Sequence, residues 1–367
     1  MRSKRILHCI PSMGGGGAER QLTYISKGLI EHGWNVHVAL LHAGSNFERL
    51  QKSGAIIHQL SCKNNFDPMI LFQLIQTILK VKPHLIQTWL RQMDIFGGIA
   101  AIIMKRPFVV TERSCSLNYG NNWKNFLRIL VARRAVAMIA NSKGGKTYWA
   151  DKVNHSILIR VIRNSIPFDE IAEVPIASGE SMGIEPENEI ILFAGRFSPE
   201  KNLSNLLNAI RQVLAQRTKS IAILFGDGPI LNDVISMQIR SDINNRIRVI
   251  GFTPQFWDWL KRANVFVSVS LYEGHPNTVL EATACKCPVV VSDIPAHREF
   301  LDEKSAYFVS PFSPGAIAET IVEVLSNPKD AMIKAWCAFN KISQWSIESV
   351  IPKYADLYHE ILWQQAK

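Results

Sequence analysis

Short apolar runs alternate with longer amphipathic stretches along almost the whole chain, and this alternation limits the possible folds. The runs are continuously apolar, so each predicts a strand that is buried on both faces. The stretches between them have helical spacing, as in ERQLTYISKGLIEHG, where positions 22, 25, 29 and 30 are apolar and Gly33 ends the pattern. Strand and helix in regular alternation predict an α/β fold of doubly wound parallel sheets.

The predicted strands form two series, as expected for 367 residues, which are too many for one ordinary core. The first series is 5–10, 35–40, 55–59, 84–87, 108–111, 137–140 and 157–162. The second is 189–194, 220–225, 247–250, 265–269, 289–292 and 306–309. Residues 164–189 between them are rich in Pro, Ser, Gly and Glu, which is typical of a linker.

We therefore predict two Rossmann-like domains that face each other across a cleft, the first at 1–170 and the second at 171–345. The remaining segment, 346–367, contains an amphipathic helix at 347–365, which we expect to pack back toward the N-terminal domain. Ligands of such sheets bind at the carboxyl ends of the strands, so the site is expected there.

Positive charge is concentrated in the first half of the chain. Residues 1–170 contain 23 Lys and Arg against 9 Asp and Glu, a net +14, whereas the whole chain has +10. Such a surface attracts nucleic acid, anionic lipid or phosphorylated substrates, or simply keeps the protein in solution. No zinc-finger, RNA-binding or helix-turn-helix pattern accompanies the charge, so we do not expect a nucleic-acid partner.

The remaining composition points to a cytosolic globular protein. The six cysteines are scattered without zinc-site spacing, and we interpret them as reduced, buried thiols. The apolar run behind the basic N-terminus is broken by His8 and Pro11, so we interpret it as a first strand and not as a signal peptide. The longest apolar run, FGGIAAIIM, is far shorter than the ~20 residues that span a bilayer.

Four consecutive glycines, Gly14 to Gly17, separate the first predicted strand from the first helix. Their spacing fits neither a dinucleotide-binding fingerprint nor a P-loop. A glycine-rich turn at a helix N-terminus nevertheless allows backbone N–H groups to approach an anion. A loop without any ligand is an equally good explanation of this run alone.

Three further motifs follow strands of the second series. In LFAGRFSPEKN, Arg196 and Lys201 lie before a helix. The guanidinium of Arg196 is a forked donor and the ammonium of Lys201 is a compact charge, and together they suit a diphosphate. In LFGDGP, a tight turn follows the next strand. In SLYEGHPNTVLEATA, Glu273 precedes a turn and Glu281 lies about one turn inside the following helix. Taken singly, these motifs also fit solvated cations, a plain turn and two unrelated carboxylates.

Taken together, these strings resemble the retaining nucleotide-sugar enzymes of glycosyltransferase family 4, the group 1 glycosyltransferases, which have the GT-B fold. The segment from Glu273 to Glu281 is similar to the family's E-x7-E motif, and GRFSPEKN is similar to its diphosphate-binding segment. The strings MIANSKGGK and VIRNSI also resemble family segments. The resemblance spans nearly the whole chain and is most specific between residues 190 and 300.

The resemblance assigns roles to individual residues. It implies catalytic contributions from Arg196 and Lys201, which would neutralise the leaving diphosphate, and from Glu273, beside the transferred sugar. Glu281 is expected on the donor ribose. The other implied donor-binding residues are Gly15, Gly16, Gly17, Gly195, Gly226, Gly228, Gly274, His275, Pro276, Asn277 and Thr278.

Two features qualify the resemblance. Many members have a His where this chain has Arg113, next to Glu112, and we predict that these two residues lie on the acceptor side. The chain has no Asp-x-Asp, the usual metal clamp on a nucleotide diphosphate, so we expect no metal and no cofactor.

His8 and His275 are proton carriers by type, and a structural role is the more economical interpretation of each. The resemblance also implies retention of anomeric configuration, by front-face attack.

The segment NNWKNFLRILVARRAVAMIANS mixes apolar residues (Trp123, Phe126, Leu127, Leu130, Val131) with cations (Lys124, Arg128, Arg133, Arg134). It suits an anionic membrane surface or a polyprenyl-diphosphate acceptor, or it is a core helix with a basic rim.

The sequence thus predicts a glycosyltransferase that uses a nucleotide sugar, with a UDP-linked N-acetylhexosamine favoured. We expect it to act at the inner face of the cytoplasmic membrane on a lipid-linked or polysaccharide acceptor of capsule, lipopolysaccharide or O-antigen type. A nucleotide-sugar 2-epimerase, a glycogen-synthase-like transferase and a non-catalytic nucleotide-sugar-binding subunit are the alternatives.

Overall fold

In the computed structural model the chain forms two compact units. The structure describes residues 4–365 except 116, 118, 121, 240–243, 254 and 255. The first unit is Met1–Ser165 together with Ile347–Lys367, and the second is Ile166–Ser346. The chain therefore passes between the units after Ser165 and again after Ser346.

The first unit contains a seven-stranded parallel sheet in the order β3-β2-β1-β4-β5-β6-β7. Its strands are Arg5–Ser12 (β1), Asn35–His42 (β2), Ile56–Gln59 (β3), Leu85–Trp89 (β4), Phe108–Glu112 (β5), Ala137–Ala140 (β6) and Leu158–Val161 (β7). The central strands are buried on both faces, as their continuous apolar sequences require. Every predicted strand of this half is present, with ends that move by one or two residues.

Helices cover both faces of this sheet. They are Gly17–Glu31 (α1), Phe47–Lys52 (α2), Met69–Val81 (α3), Leu90–Ile103 (α4), Trp123–Ala132 (α5), Lys143–Ala150 (α6) and the C-terminal Ile347–Gln365 (α15). Side-chain caps fix two of their starts, because Asn122 accepts from Asn125 N and Ser142 accepts from Gly145 N. Helix α15 packs on α1, where a Cβ on Gly28 would lie 2.5 Å from Ile351 Cγ1.

The second unit contains a six-stranded parallel sheet in the order β10-β9-β8-β11-β12-β13. Its strands are Glu189–Ala194 (β8), Ser220–Phe225 (β9), Ile247–Gly251 (β10), Val265–Ser268 (β11), Val289–Ser292 (β12) and Tyr307–Val309 (β13). The strand order reverses between β8 and β11, so this sheet is doubly wound as predicted.

The helices of the second unit are Phe168–Glu173 (α7), Leu203–Gln216 (α8), Leu231–Ile239 (α9), Trp257–Arg262 (α10), Asn277–Ala284 (α11), Pro295–Arg298 (α12), Pro314–Ser326 (α13) and Pro328–Ile342 (α14). The core is built from the inner faces of α8 and α13 against the central strands. None of the helices in the described part of the chain is both long and apolar enough to cross a membrane. All six cysteines are free, and of these Cys9 and Cys287 are fully buried whereas the other four are half-buried.

Candidate active site

The predicted donor motifs of the second unit converge at the carboxyl edge of its sheet. The loop with Arg196 and Lys201 follows β8, the GDGP turn follows β9, and the loop with Glu273 follows β11. Strands β8 and β11 are neighbours where the strand order reverses, and crevices at such positions bind ligands in doubly wound sheets.

Backbone hydrogen bonds fasten the loops after β8 and β9 to each other. Gly195 N donates to Phe225 O at 3.0 Å, and Phe197 N donates to Asp227 O at 2.8 Å. A Cβ on Gly226 would lie 2.0 Å from Gly195 O, and one on Gly228 would lie 2.3 Å from Phe197 O. The two backbones approach so closely that only glycine fits at either position, which explains the glycines of the GDGP turn.

An ion pair joins the loop after β8 to the loop after β11. Lys201 Nζ donates to Glu273 Oε1 at 2.5 Å, and Ser270 Oγ donates to the same oxygen at 2.8 Å. The backbone reinforces the pair, since Leu271 N donates to Glu200 O at 2.8 Å. Two catalytic candidates that are 72 positions apart in sequence are thus in direct contact.

Glu273 is mostly buried, with 13% of its side chain exposed. Burial alone would raise the pKa of this carboxyl, but the Lys201 ammonium and its hydrogen bond, together with the Ser270 hydroxyl, lower it below its ordinary value. Glu273 is therefore ionised at neutral pH and can accept hydrogen bonds from a polar ligand.

The sequence analysis did not identify Ser270 or His297 as site residues. His297 is fully buried in α12, within electrostatic reach of Glu273, and its Nδ1 lies 2.8 Å from Ser292 O. Burial lowers its pKa below the ordinary value, so it is neutral at pH 7. In the sequence, the signal that could have identified His297 is its position shortly after the strand that ends at Ser292, at the carboxyl edge of the sheet.

Arg196 lies in the same loop as Lys201, shortly before it in the chain, and is exposed. Among the described residues its guanidinium forms no hydrogen bond or ion pair, which leaves its donors available to a ligand. Gly195, before it, is half-buried between Phe193 and Lys201. An exposed arginine beside a buried ion pair gives the edge of this crevice a positive charge.

Helix α11 begins at Asn277, directly after the loop with Glu273. Pro276 precedes its first residue, and Gly274, Asn277 and Thr278 are half-buried around the first turn. The first N–H groups of a helix have no intrahelical acceptor and carry partial positive charge, so this turn suits an anion. Glu281 lies one turn further along and is 6% exposed.

His275 lies on the inner side of the same loop. It is buried, and its ring centroid lies 5.9 Å from that of Phe300 and 5.5 Å from that of Trp345. This aromatic packing anchors the turn before α11 and gives His275 a structural position.

The glycine run of the first unit connects β1 to α1, and Gly16 is the N-cap of the helix. Gly15 and Gly16 are exposed, and Gly17 is half-buried. Asn46 N donates to Met13 O at 2.9 Å, which ties this loop to the loop after β2. The carboxylate of Glu19 occupies the helix start, because a Cβ on Gly16 would lie 2.3 Å from Glu19 Oε2. An anion at this helix start would therefore encounter an acidic side chain.

Glu112, predicted on the acceptor side, ends β5 inside a buried network. Its Oε1 accepts from Ser114 N at 2.7 Å and Tyr119 OH at 2.6 Å, and its Oε2 accepts from Arg128 Nη1 at 3.1 Å and Trp149 Nε1 at 2.7 Å. All the lone pairs of the carboxylate are therefore used. In this arrangement Glu112 has a structural role, and neither of its oxygens is free to bind the acceptor substrate.

Arg128 is correspondingly an internal residue, which corrects its expected place among the membrane-facing cations. Its side chain is 1% exposed, and its Nε donates to Asp94 Oδ2 at 2.7 Å. Thr88 Oγ1 donates to the other oxygen of Asp94 at 2.7 Å. The network thus connects β4, α4, β5 and α5 through charged groups.

Arg113 lies beside this network, and its contacts within the described part of the chain are with neutral groups. Its Nη1 donates to Asn164 Oδ1 at 2.6 Å, its Nη2 donates to Tyr354 OH at 2.5 Å, and its guanidinium lies 4.5 Å from the Trp89 ring centroid. Burial together with the charge of Arg113 lowers the pKa of His8 to about 3. His8 is therefore neutral at physiological pH, and its Nδ1 accepts from Trp89 Nε1.

Two protein-family models match the chain. The model described as "Glycosyltransferase Family 4" matches residues 15–170, and the model "Glycosyl transferases group 1" matches residues 178–335. Together they cover most of the chain, and each falls almost wholly within one half.

Curated relatives agree with these matches. An Escherichia coli UDP-Gal:alpha-D-GlcNAc-diphosphoundecaprenol alpha-1,3-galactosyltransferase is 22% identical over 81% of this chain and 80% of its own length. A Campylobacter jejuni N-acetylgalactosamine-N,N'-diacetylbacillosaminyl-diphospho-undecaprenol 4-alpha-N-acetylgalactosaminyltransferase is also 22% identical, over 77% of this chain and 79% of its own.

Solved structures show the same fold. Anabaena HepE, crystallised with UDP and glucose, superimposes with a TM-score of 0.86 at 20% identity, over 97% of this chain and 100% of HepE. Sucrose-phosphate synthase from Thermosynechococcus elongatus gives 0.81 at 16% identity, over 98% and 100% of the two chains. The fold is therefore GT-B, and the protein is a glycosyltransferase. It belongs to the group 1 glycosyltransferases of family 4, as the sequence motifs predicted.

Replacing Lys201 by Met should reverse how Glu273 makes the free energy of unfolding depend on pH. In the wild type this contribution rises with pH, and in the variant it should fall. With Lys201 present, the lowered pKa of Glu273 contributes stability at neutral pH that is lost as the pH falls through that pKa. Without the ammonium, burial raises the pKa, and stability falls as the pH rises. We expect Lys201→Met to cost about 1–3 kcal/mol at pH 7 and much less near pH ~4, measured by calorimetry.

The matched control is Lys329→Met, which removes an exposed lysine of the same unit and should be neutral at every pH. A Lys201→Met penalty that is the same at both pH values would contradict the ion pair.

Replacing Arg128 by Met should destabilise the first unit by about 3–5 kcal/mol, because Asp94 and Glu112 would stay buried without their cation. Arg134→Met, at an exposed position just after the same helix, should change stability by less than about 0.5 kcal/mol. Urea unfolding measures both values. Equal effects of the two substitutions would rule out the buried network.

Proposed function

We propose that the protein is a retaining, metal-independent glycosyltransferase that takes its sugar from a nucleotide sugar, a UDP-sugar in preference and an N-acetylhexosamine as the first candidate. The acceptor would be lipid-linked or a polysaccharide in cell-surface glycan synthesis. The observation that carries the proposal is the meeting of Lys201, Glu273 and the start of α11 at the edge where the strand order reverses.

The donor diphosphate would lie between the two cations and the start of α11. The Lys201 ammonium has three donors, of which Glu273 takes one, so it can also donate to a phosphate oxygen. The exposed Arg196 adds a forked donor to the same edge. Negative charge that develops on the leaving diphosphate would be stabilised by these fixed cations, the role a metal has in other transferases.

The two glutamates would bind the sugars at either end of the donor. Glu281, buried in α11, would accept hydrogen bonds from the ribose hydroxyls. Glu273, kept ionised by Lys201, would accept from the transferred sugar. We take retention to result from front-face attack assisted by the leaving phosphate, with Glu273 as a hydrogen-bond acceptor for the sugar and not as a covalent nucleophile.

The relatives support the choice of donor and acceptor. The printed name of the Escherichia coli relative gives UDP-Gal as donor and a diphosphoundecaprenol-linked sugar as acceptor, and that of the Campylobacter jejuni relative also gives a diphospho-undecaprenol acceptor. HepE was crystallised with UDP-glucose. A lipid-linked acceptor would bring the reaction to the cytoplasmic face of a membrane.

The saturated carboxylate of Glu112 favours a second candidate function, a nucleotide-sugar-binding subunit without turnover. Neither Glu112, whose oxygens are all engaged, nor Arg113, which stands where many members have His, offers a base on the proposed acceptor side. Binding of a UDP-sugar without transfer to any lipid-linked or oligosaccharide acceptor would favour this alternative.

UDP should stabilise the protein against heat in the presence of EDTA. At ~100 times its Kd a ligand adds about 2.7 kcal/mol of stability, and we expect UDP to give a larger shift than GDP or ADP. Arg196→Met should lose most of the shift without loss of basal stability, because the side chain is exposed. Glu281→Gln should lose it as well.

Glu187→Ala removes an exposed carboxylate of the same unit and should keep the full UDP shift. A shift that appears only with added metal would refute metal independence. The absence of a shift with every nucleotide would refute the donor site.

A further inference from the structure

Two helices of the first unit expose large apolar side chains to solvent. On α3 these are Met69, Phe72 and Leu79, and on α5 they are Trp123, Phe126 and Leu130, of which Trp123 is 61% and Phe126 64% exposed. We call these six residues the apolar face. Exposed apolar clusters of this kind are typical of surfaces that bind another protein or a membrane.

The two helices are both neighbours of α4 and are joined at their starts. Both pack against α4, on the same side of the sheet. Phe66, just before α3, bridges them, since its ring centroid lies 5.6 Å from that of Trp123 and Lys124 Nζ lies 4.3 Å from the Phe66 ring centroid. Phe66 thus joins the starts of the two helices, where Met69 and Trp123 of the apolar face lie.

The orientation of α5 is fixed from its inner side. Arg128 points inward to the carboxylates of Asp94 and Glu112, and Asn125 Nδ2 donates to Tyr148 OH at 3.1 Å. The helix thus turns Arg128 to the core and the aromatic Trp123 and Phe126 to solvent, the reverse of an ordinary surface helix. Rotation of α5 to hide Phe126 would leave a buried ion network unpaired.

The exposed charges on and directly after the two helices are all positive, and Asp67, just before α3, is buried and accepts from Lys63 N and Met69 N. Neither α3 nor α5 contains an Asp or Glu. Lys80 lies at the end of α3, Lys124 lies near the start of α5, and the exposed Arg133 and Arg134 follow α5. Aromatic and aliphatic side chains bordered by Lys and Arg complement an anionic bilayer, where the apolar groups enter the headgroup region and the cations meet lipid phosphates.

We propose that the apolar face docks the first unit on an anionic lipid bilayer. This inference rests on the proposed function in one respect, because a lipid-linked acceptor would be presented at that surface. Trp123 suits the headgroup level, as tryptophan does at membrane interfaces, and Phe126 and Leu130 follow it at helical spacing on the same side.

The test is flotation of the full-length protein with phosphatidylcholine vesicles that contain either no anionic lipid or about 30% phosphatidylglycerol. We expect binding to the anionic vesicles, weak binding to the neutral ones, and partial loss at roughly 0.5 M salt, where surface charges are screened. Phe126→Ser should weaken the vesicle partition coefficient at least about tenfold, the loss expected for one inserted aromatic side chain.

Two further variants separate the contributions. Arg134→Glu should weaken binding to anionic vesicles and leave binding to neutral ones unchanged. Phe312→Ser removes an even more exposed aromatic side chain from the second unit and should bind vesicles as the wild type does. Phe126 is exposed, so unchanged melting temperatures of Phe126→Ser should accompany its loss of binding.

Wild-type protein that floats with neither kind of vesicle would overturn the proposal, and so would a Phe126→Ser variant that floats like the wild type. A dimer in light scattering that Phe126→Ser dissociates would show that a second copy covers the face instead. The UDP-induced thermal shift is measured without lipid, so a failure of membrane docking is distinguishable from a failure of the proposed donor site.

Discussion

The candidate site depends on the pairing of β8 with β11 in the second sheet. Because these strands are parallel neighbours at the point where the strand order reverses, their carboxyl ends meet although they are far apart in sequence. The Lys201–Glu273 ion pair joins the two loops that follow, and α11 starts from the second of them. A cation, an ionised carboxylate and a helix start are thereby placed within one small region.

The first unit uses charge differently. Arg128 and its two carboxylates are buried, and all the oxygens of Glu112 are engaged, so this network orders β4, β5 and three helices. Buried ion pairs of this kind add little net stability, but removal of one partner is costly. Arg113, next to them, donates to the neutral side chains of Asn164 and Tyr354. The acceptor side of the proposed reaction therefore has no evident base among these residues.

The sequence predicted the strands well, because a strand buried on both faces has a continuous apolar run that little else produces. The donor motifs were also visible, since tight turns and cations follow those strands. It did not reveal His297 or Ser270, whose roles depend on packing between distant segments. The burial of Arg128 was missed because the hydrophobic pattern of α5 points to the wrong side. The polar side of this helix, with Asn125 and Arg128, meets the core, whereas its aromatic side meets solvent.

The most direct test of the donor site is hydrogen–deuterium exchange of the full-length protein with and without UDP. The account predicts that UDP slows exchange in the loop 195–202, in the turn 226–230 and at the start of α11, where backbone N–H groups would meet the nucleotide. Unchanged exchange in these three segments, with protection elsewhere in the chain, would contradict the site and with it the proposed mechanism.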